Sequence, residues 1–89
     1  MDYLIGQTIR VSATFRTDAG SLVNPDVVAL TIIGPTGKST PYIPANLSLG
    51  VFYYDLQFSK VGKYVHHWEG RSTDFEAVGE EEFRIVRDA

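Results

Sequence analysis

The clearest pattern along the chain has a period of two. In QTIRVSATFR (7–16), Ile9, Val11, Ala13 and Phe15 alternate with Arg10, Ser12, Thr14 and Arg16. A strand turns successive side chains to opposite faces, so this alternation predicts a half-buried β-strand. VVALTII (27–33) is β-branched and almost continuously apolar, with Val28, Leu30 and Ile32 as its predicted inward set. VFYYDLQF (51–58) alternates again. Phe52, Tyr54, Leu56 and Phe58 share one face; Val51, Tyr53, Asp55 and Gln57 share the other. KYVHHWE (63–69) sets Tyr64, His66 and Trp68 on the face that large aromatics would bury, and Lys63, Val65, His67 and Glu69 opposite. A closing strand is predicted from about Glu81, with Phe83 and Ile85 inward and Glu82 and Arg84 outward. The acids Glu80, Glu81 and Glu82 follow Gly79 and lead into alternating FRIV, which favours a strand start over a helix.

Turn chemistry separates these runs. TDAGSLVNPD (17–26) contains Asp-Ala-Gly and then Asn-Pro-Asp, and GPTG (34–37) suits a tight hairpin turn. Pro41 and Pro44 demote KSTPYIP (38–44) to a short, irregular edge strand, because proline cannot donate to a ladder. ANLSLG (45–50) and GRSTDF (70–75) are predicted loops. No long window shows the helical 3.6 period. About six or seven short strands with turns between them predict an all-β chain, folded as an antiparallel sandwich or barrel.

Composition narrows the partners. The 89 residues suit a single domain. The net charge is −3, and the eight Lys and Arg are scattered from Arg10 to Arg87 without forming a run. A nucleic-acid footprint needs such a cluster, so nucleic acid is not an expected partner. The chain has no cysteine, hence no disulfide and no thiolate metal site. No stretch approaches the roughly 18 apolar residues of a membrane span. Residues 1–15 lack the pattern of a secretory leader, and the chain reads as a complete small gene product. MDYLIG (1–6) reads as an N-terminal arm whose apolar Tyr3, Leu4 and Ile5 suit a partner contact, followed by one domain over 7–87.

Candidate chemistry is thin. His66 and His67 adjoin in sequence, but a strand sends them to opposite faces, so they cannot chelate one ion. His67 is expected in solvent opposite Glu69, and His66 inward. Nothing brings two carboxylates to one cleft. There is no G-x-S-x-G elbow. GPTGKST (34–40) has only two residues between Gly34 and Gly37 where a phosphate loop needs four, and Pro41 follows at once. The pairs Asn24/Asp26 and Asp74/Glu76 suit turns better than calcium. The expectation is a non-enzyme with no catalytic residue, cofactor or metal. Exposed aromatics favour contact sites, and Tyr53 is the cleanest candidate because Phe52 and Tyr54 point inward. Tyr42, Tyr53 and Phe75 together would suit a carbohydrate-binding or adhesion platform, the alternative function.

Gly62 and Tyr64 in GKYVHHWEG resemble the corner of an immunoglobulin-like sandwich, where a tyrosine hydroxyl returns to upstream backbone. The absent cysteine pair and the late position of Trp68 depart from the antibody pattern. A second resemblance spans most of the chain: hydrophobic-Gly leading to R-V-S-A-T-F (5–15), a D-A-G turn (18–20), V-A-L-T-I with a Pro-Thr-Gly turn (28–37), G-V-F-Y-Y (50–54), G-K-Y with W-E-G (62–70), and E-E-E-F-R-I-V (80–86). In this layout the chain resembles a family of small proteins encoded by tailed bacteriophages and prophages. The resemblance implies an all-β, immunoglobulin-like antiparallel β-sandwich with Phe15, Phe52, Tyr54, Tyr64, Trp68 and Phe83 in its core. It also implies a structural protein of the virion, made in the host cytoplasm. Such a protein decorates the capsid or sits near the head–tail junction, with other virion proteins as partners and self-association in the particle left open.

Overall fold

The computed structural model describes residues 2–87. Its elements are β1 (Asp2–Leu4), β2 (Ile9–Thr14), β3 (Val27–Ile33), β4 (Ser39–Tyr42), β5 (Ala45–Ser48), β6 (Val51–Leu56), β7 (Gly62–Ser72) and β8 (Phe75–Val86). They form two sheets, ordered β1-β8-β7-β3-β4 and β2-β6-β5. The β3-β7-β8 order matches the C-F-G set of immunoglobulin domains, and β2-β6-β5 matches B-E-D. The fold is an immunoglobulin-like β-sandwich.

The core follows from the period-two pattern. Ile9, Val11 and Phe15 from the β2 run, Leu30 and Ile32 from β3, and Phe52 from β6 are buried. Tyr64 and Trp68 from β7, and Phe83 and Ile85 from β8, complete the set. Tyr54 is half-buried and packs against this cluster with Leu56 and Phe58. Phe58, Tyr64 and Phe83 lie ring to ring, with centroids 4.4 Å apart for Phe58 and Tyr64 and 5.6 Å for Tyr64 and Phe83.

The corner forms at the start of β7. The Tyr64 hydroxyl donates to the Lys60 carbonyl at 2.8 Å. Gly62 takes φ +143, and a Cβ there would lie 2.5 Å from Pro35 Cγ, so only glycine lets the chain pass the β3–β4 turn this closely.

The structure departs from the sequence expectations in three places. Residues 45–48 are the edge strand β5, not a loop, and together with β1 it brings the strand count among the described residues to eight. Every β5 residue is exposed, so no buried face marks it in the sequence. It is held instead through pairing with β6, and Asn46 Nδ2 donates to the carbonyls of Ser48 at 2.8 Å and Val51 at 3.0 Å. Strand β8 begins at Phe75 rather than near Glu81, and the polar loop shrinks to a two-residue turn at Thr73 and Asp74. Its inward positions Ala77 and Gly79 are too small to give an alternating hydrophobic signal. Within the segment read as an N-terminal arm, whose Met1 lies outside the described residues, Asp2–Leu4 form a strand that the hydrophobic pattern did not mark: β1 runs parallel to β8 in the larger sheet, pairing Tyr3 with Ile85. Tyr3 packs edge-on against Phe83 with centroids 6.1 Å apart, because its ring and Ile5 cover the end of the core.

Candidate partner-contact surfaces

The β7 register decides the two histidines. His66 pairs with Ile32 and Glu81 in register and faces the core; His67 pairs with Thr31 and Glu80 and faces outward. His66 Nδ1 accepts a 2.9 Å hydrogen bond from Trp68 Nε1–H. Its Nε2 therefore carries the proton and lies 3.5 Å from Glu81 Oε2. Burial holds the His66 pKa below its ordinary value, and the Glu81 charge opposes this in part. Both ring nitrogens are engaged, so the imidazole has none left to act as a base toward Ser12 in the same cleft.

His67 has a different environment. Its Nδ1 is 2.9 Å from Glu80 Oε2 and its Nε2 is 3.2 Å from Glu69 Oε1, while Arg71 Nη2 donates to the other Glu69 oxygen at 3.3 Å. Hydrogen bonds to Glu69 and then Glu80 raise the His67 pKa. The outward histidine is thus held between two carboxylates rather than free in solvent. Among the described residues, no group of three or more His, Asp and Glu is arranged to hold a metal ion. No helix among them is long and apolar enough to cross a membrane.

The four residues singled out for partner contact separate. Tyr3 and Ile5 pack on the core rim, and Leu4 between them is exposed. Tyr53 sits on the outer face of β6, half-buried. Arg10 lies with its guanidinium 4.1 Å above the Tyr53 ring and makes a two-pronged bond to Asp55, at 2.7 Å from Nε and 3.0 Å from Nη2. The three-aromatic platform is not assembled. Tyr42 turns inward onto Tyr54 at 4.9 Å, and Phe75 packs edge-on against Phe15 at 6.4 Å.

A surface absent from the sequence expectations appears at the β5 edge. Ile43 is 90% exposed, Leu47 58% and Leu49 56%. All three flank or belong to the end strand of the smaller sheet, whose far side has no strand among the described residues. The signal was in the sequence, as three apolar residues in a segment rich in proline and polar residues. Without a period it looked like a loop.

No protein-family model matches the chain, and no curated protein matches it.

Proposed function

We propose that this chain is a non-enzymatic structural protein of a tailed-bacteriophage or prophage virion. In this reading it acts by protein–protein contact on the capsid surface or at the head–tail region. The contact part rests on one observation: Ile43, Leu47 and Leu49 stand exposed along an unpaired sheet edge. Three large apolar side chains grouped along one edge favour a protein partner. The virion part rests on the distributed sequence resemblance, from the R-V-S-A-T-F strand to the closing E-E-E-F-R-I-V. A particle repeats its surface many times, so many copies bind at once and a weak individual contact suffices. The net charge of −3 and the scattered basic residues suit protein contacts better than a nucleic-acid backbone. The carbohydrate-platform reading has no comparable support, since Tyr42 and Phe75 pack inward.

Mass spectrometry of purified particles tests the proposal. The protein should be present, in hundreds of copies for decoration or around a dozen for a connector or tail ring. Its absence from particles would overturn the virion reading. Ile43→Asp with Leu47→Asp should abolish incorporation while the isolated domain keeps its melting transition.

A further inference from the structure

Two sheet edges open on the same side of the sandwich. Strand β2 pairs with β6 on one side and has no strand on the other among the described residues. Strand β8 pairs with β7 from Phe75 to Ile85, but β1 covers only Arg84, Ile85 and Val86 of its second edge. Ile5 N–H donates to the Val86 carbonyl at 2.9 Å, so Val86 turns its main-chain groups toward that edge. The β7–β8 register runs unbroken from Gly62 opposite Ile85 to Ser72 opposite Phe75. The main-chain N–H and C=O groups of Glu82, Glu80 and Val78 therefore face the same way, with no strand among the described residues to receive them.

Between the two edges lies a cleft of about 420 Å³, lined by Ser12, Ala13, Trp68, Ala77 and Glu81 among others. It continues into a second hollow of about 280 Å³ that runs past His66 and Glu81 to Tyr3 and Phe83. Gly79 leaves its floor open, since a Cβ there would meet nothing within 4 Å. Glu81 stands at the junction of the two hollows. Its side chain is 78% exposed, and His66 is its ion-pair neighbour among the described residues. The bond from Trp68 occupies His66 Nδ1 and keeps that neighbour neutral. Arg16 and Arg10 line the two hollows, but Arg10 is bonded to Asp55 and Arg16 to the Gly20 carbonyl, so neither is the partner of Glu81.

A charge turned inward on an edge strand guards against pairing with another sheet. Two copies joined along β8 would bring Glu80, Glu81 and Glu82 toward their own counterparts, which opposes a second copy of this chain as occupant. A strand with a base at the right position is not opposed; the guard then selects it. We propose that the β2–β8 cleft is a strand-addition site for an extended segment of a different protein. That segment bonds to the β8 edge at Val78, Glu80 and Glu82 and sets a Lys or Arg side chain against Glu81. Apolar side chains two residues to either side lie over Gly79 and Phe83. Main-chain bonds of this kind supply affinity, and alternate side chains supply specificity. The site is built from this chain alone and stands whether or not the chain is a virion protein.

The test uses two blocked hexapeptides, Val-Thr-Lys-Thr-Val-Thr, which laid antiparallel on β8 spans Phe83 to Val78 and leaves the Arg84 edge to β1, and its counterpart with Glu in place of Lys, added at millimolar concentration to the full chain labelled for amide NMR. The lysine peptide should shift the amide resonances of Val78, Glu80 and Glu82 and bind at least about tenfold tighter than the glutamate peptide. Glu81→Lys should reverse that order. Val78→Pro removes one edge N–H without touching the β7 ladder, and should abolish binding while the circular dichroism melt is kept. Equal binding of the two peptides, binding of neither, or shifts mapping to another face would each overturn the site. So would self-association of the free chain through the same amides, read by sedimentation. If Val78→Pro fails to fold, the Glu81→Lys result decides alone, because an order that does not reverse rejects the proposal.

Discussion

Trp68 Nε1–H donates to His66 Nδ1 at 2.9 Å, two residues back on the same face of β7, and both residues are buried. The bond gives each buried polar group a partner and fixes the imidazole tautomer. A second proton on His66 would have to sit on Nδ1, facing the indole N–H. On the other face of the strand, His67 gains two carboxylate partners when it is protonated. The adjacent histidines thus respond to acid in opposite senses.

That opposition predicts a pH signature. The His66 pKa is lowered from 6.5, mainly by burial, so the folded state resists protonation. Its contribution is whole above that value and is lost as the pH falls below it. The His67 pKa is raised from 6.5, first by Glu69 and then by Glu80. Its contribution is whole below 6.5 and is lost as the pH rises through the folded value. In the intact protein the two windows adjoin at 6.5, so the pair places a stability maximum near that pH, with a fall on either side. His67→Gln leaves His66 alone, and the melting temperature should drop as the pH is lowered from about 7 to about 5. His66→Gln leaves His67 alone, and the melting temperature should drop as the pH is raised from about 6 to about 8. Thermal melts across that range decide it: His67→Gln should lose the fall on the alkaline side and His66→Gln the fall on the acid side, and a variant that keeps both wild-type limbs would reject the assignment.

Trp68 is 3% exposed at the centre of the core. Trp68→Ala should cost about 3–5 kcal/mol, a large part of the roughly 5–15 kcal/mol available to a domain. Trp68→Phe keeps an aromatic ring but leaves His66 Nδ1 without its donor, and should cost less. Urea unfolding of both variants checks the order. An unmoved Trp68→Ala midpoint would mean that the indole does not carry the core.

The corner bond of Tyr64 is separable from its packing. Tyr64→Phe keeps the ring against Phe58 and Phe83 and removes only the hydroxyl that reaches the Lys60 carbonyl. The expected loss is about 0.5–1.5 kcal/mol. Tyr64→Ala should cost several times more. Equal losses would assign the residue to the hydrogen bond rather than to the ring cluster.

The legible parts of the fold were those where large side chains alternate. Ile9 to Phe15, Val28 to Ile32, Phe52 to Phe58 and Tyr64 to Trp68 marked their own faces, and the faces separated His66 from His67. Strands without a buried row gave no such signal. In β5 every residue is exposed, and in β8 the inward positions shrink to Ala77 and Gly79. Long-range pairing defines both, and a single sequence does not carry it. The same limit applied to the surfaces. Tyr42 and Tyr53 look alike in sequence, yet Tyr42 meets Tyr54 across the sheets while Tyr53 lies under Arg10. The β2–β8 cleft lies beside the stretch of β8 that β1 does not pair with among the described residues, a fact of registry with no local residue signature.

Gly70 and Gly79 provide the sharpest test of the packing, because both lie in the β7–β8 hairpin with opposite surroundings. A Cβ on Gly70 would fall 2.6 Å from Phe15 Cε1 and 2.8 Å from Pro25 Cγ. Neither neighbour yields easily, since Phe15 is buried and proline is rigid. Gly70→Ala should therefore destabilise by about 1–3 kcal/mol through overpacking. A Cβ on Gly79 meets nothing within 4 Å and is free of backbone strain. Gly79→Ala should be neutral or stabilising by up to about 1 kcal/mol, as alanine loses less backbone entropy on folding. Urea midpoints for the two single variants give the comparison. If Gly70→Ala is as benign as Gly79→Ala, Phe15 and Pro25 do not close over β7 and the sheets pack differently at that end.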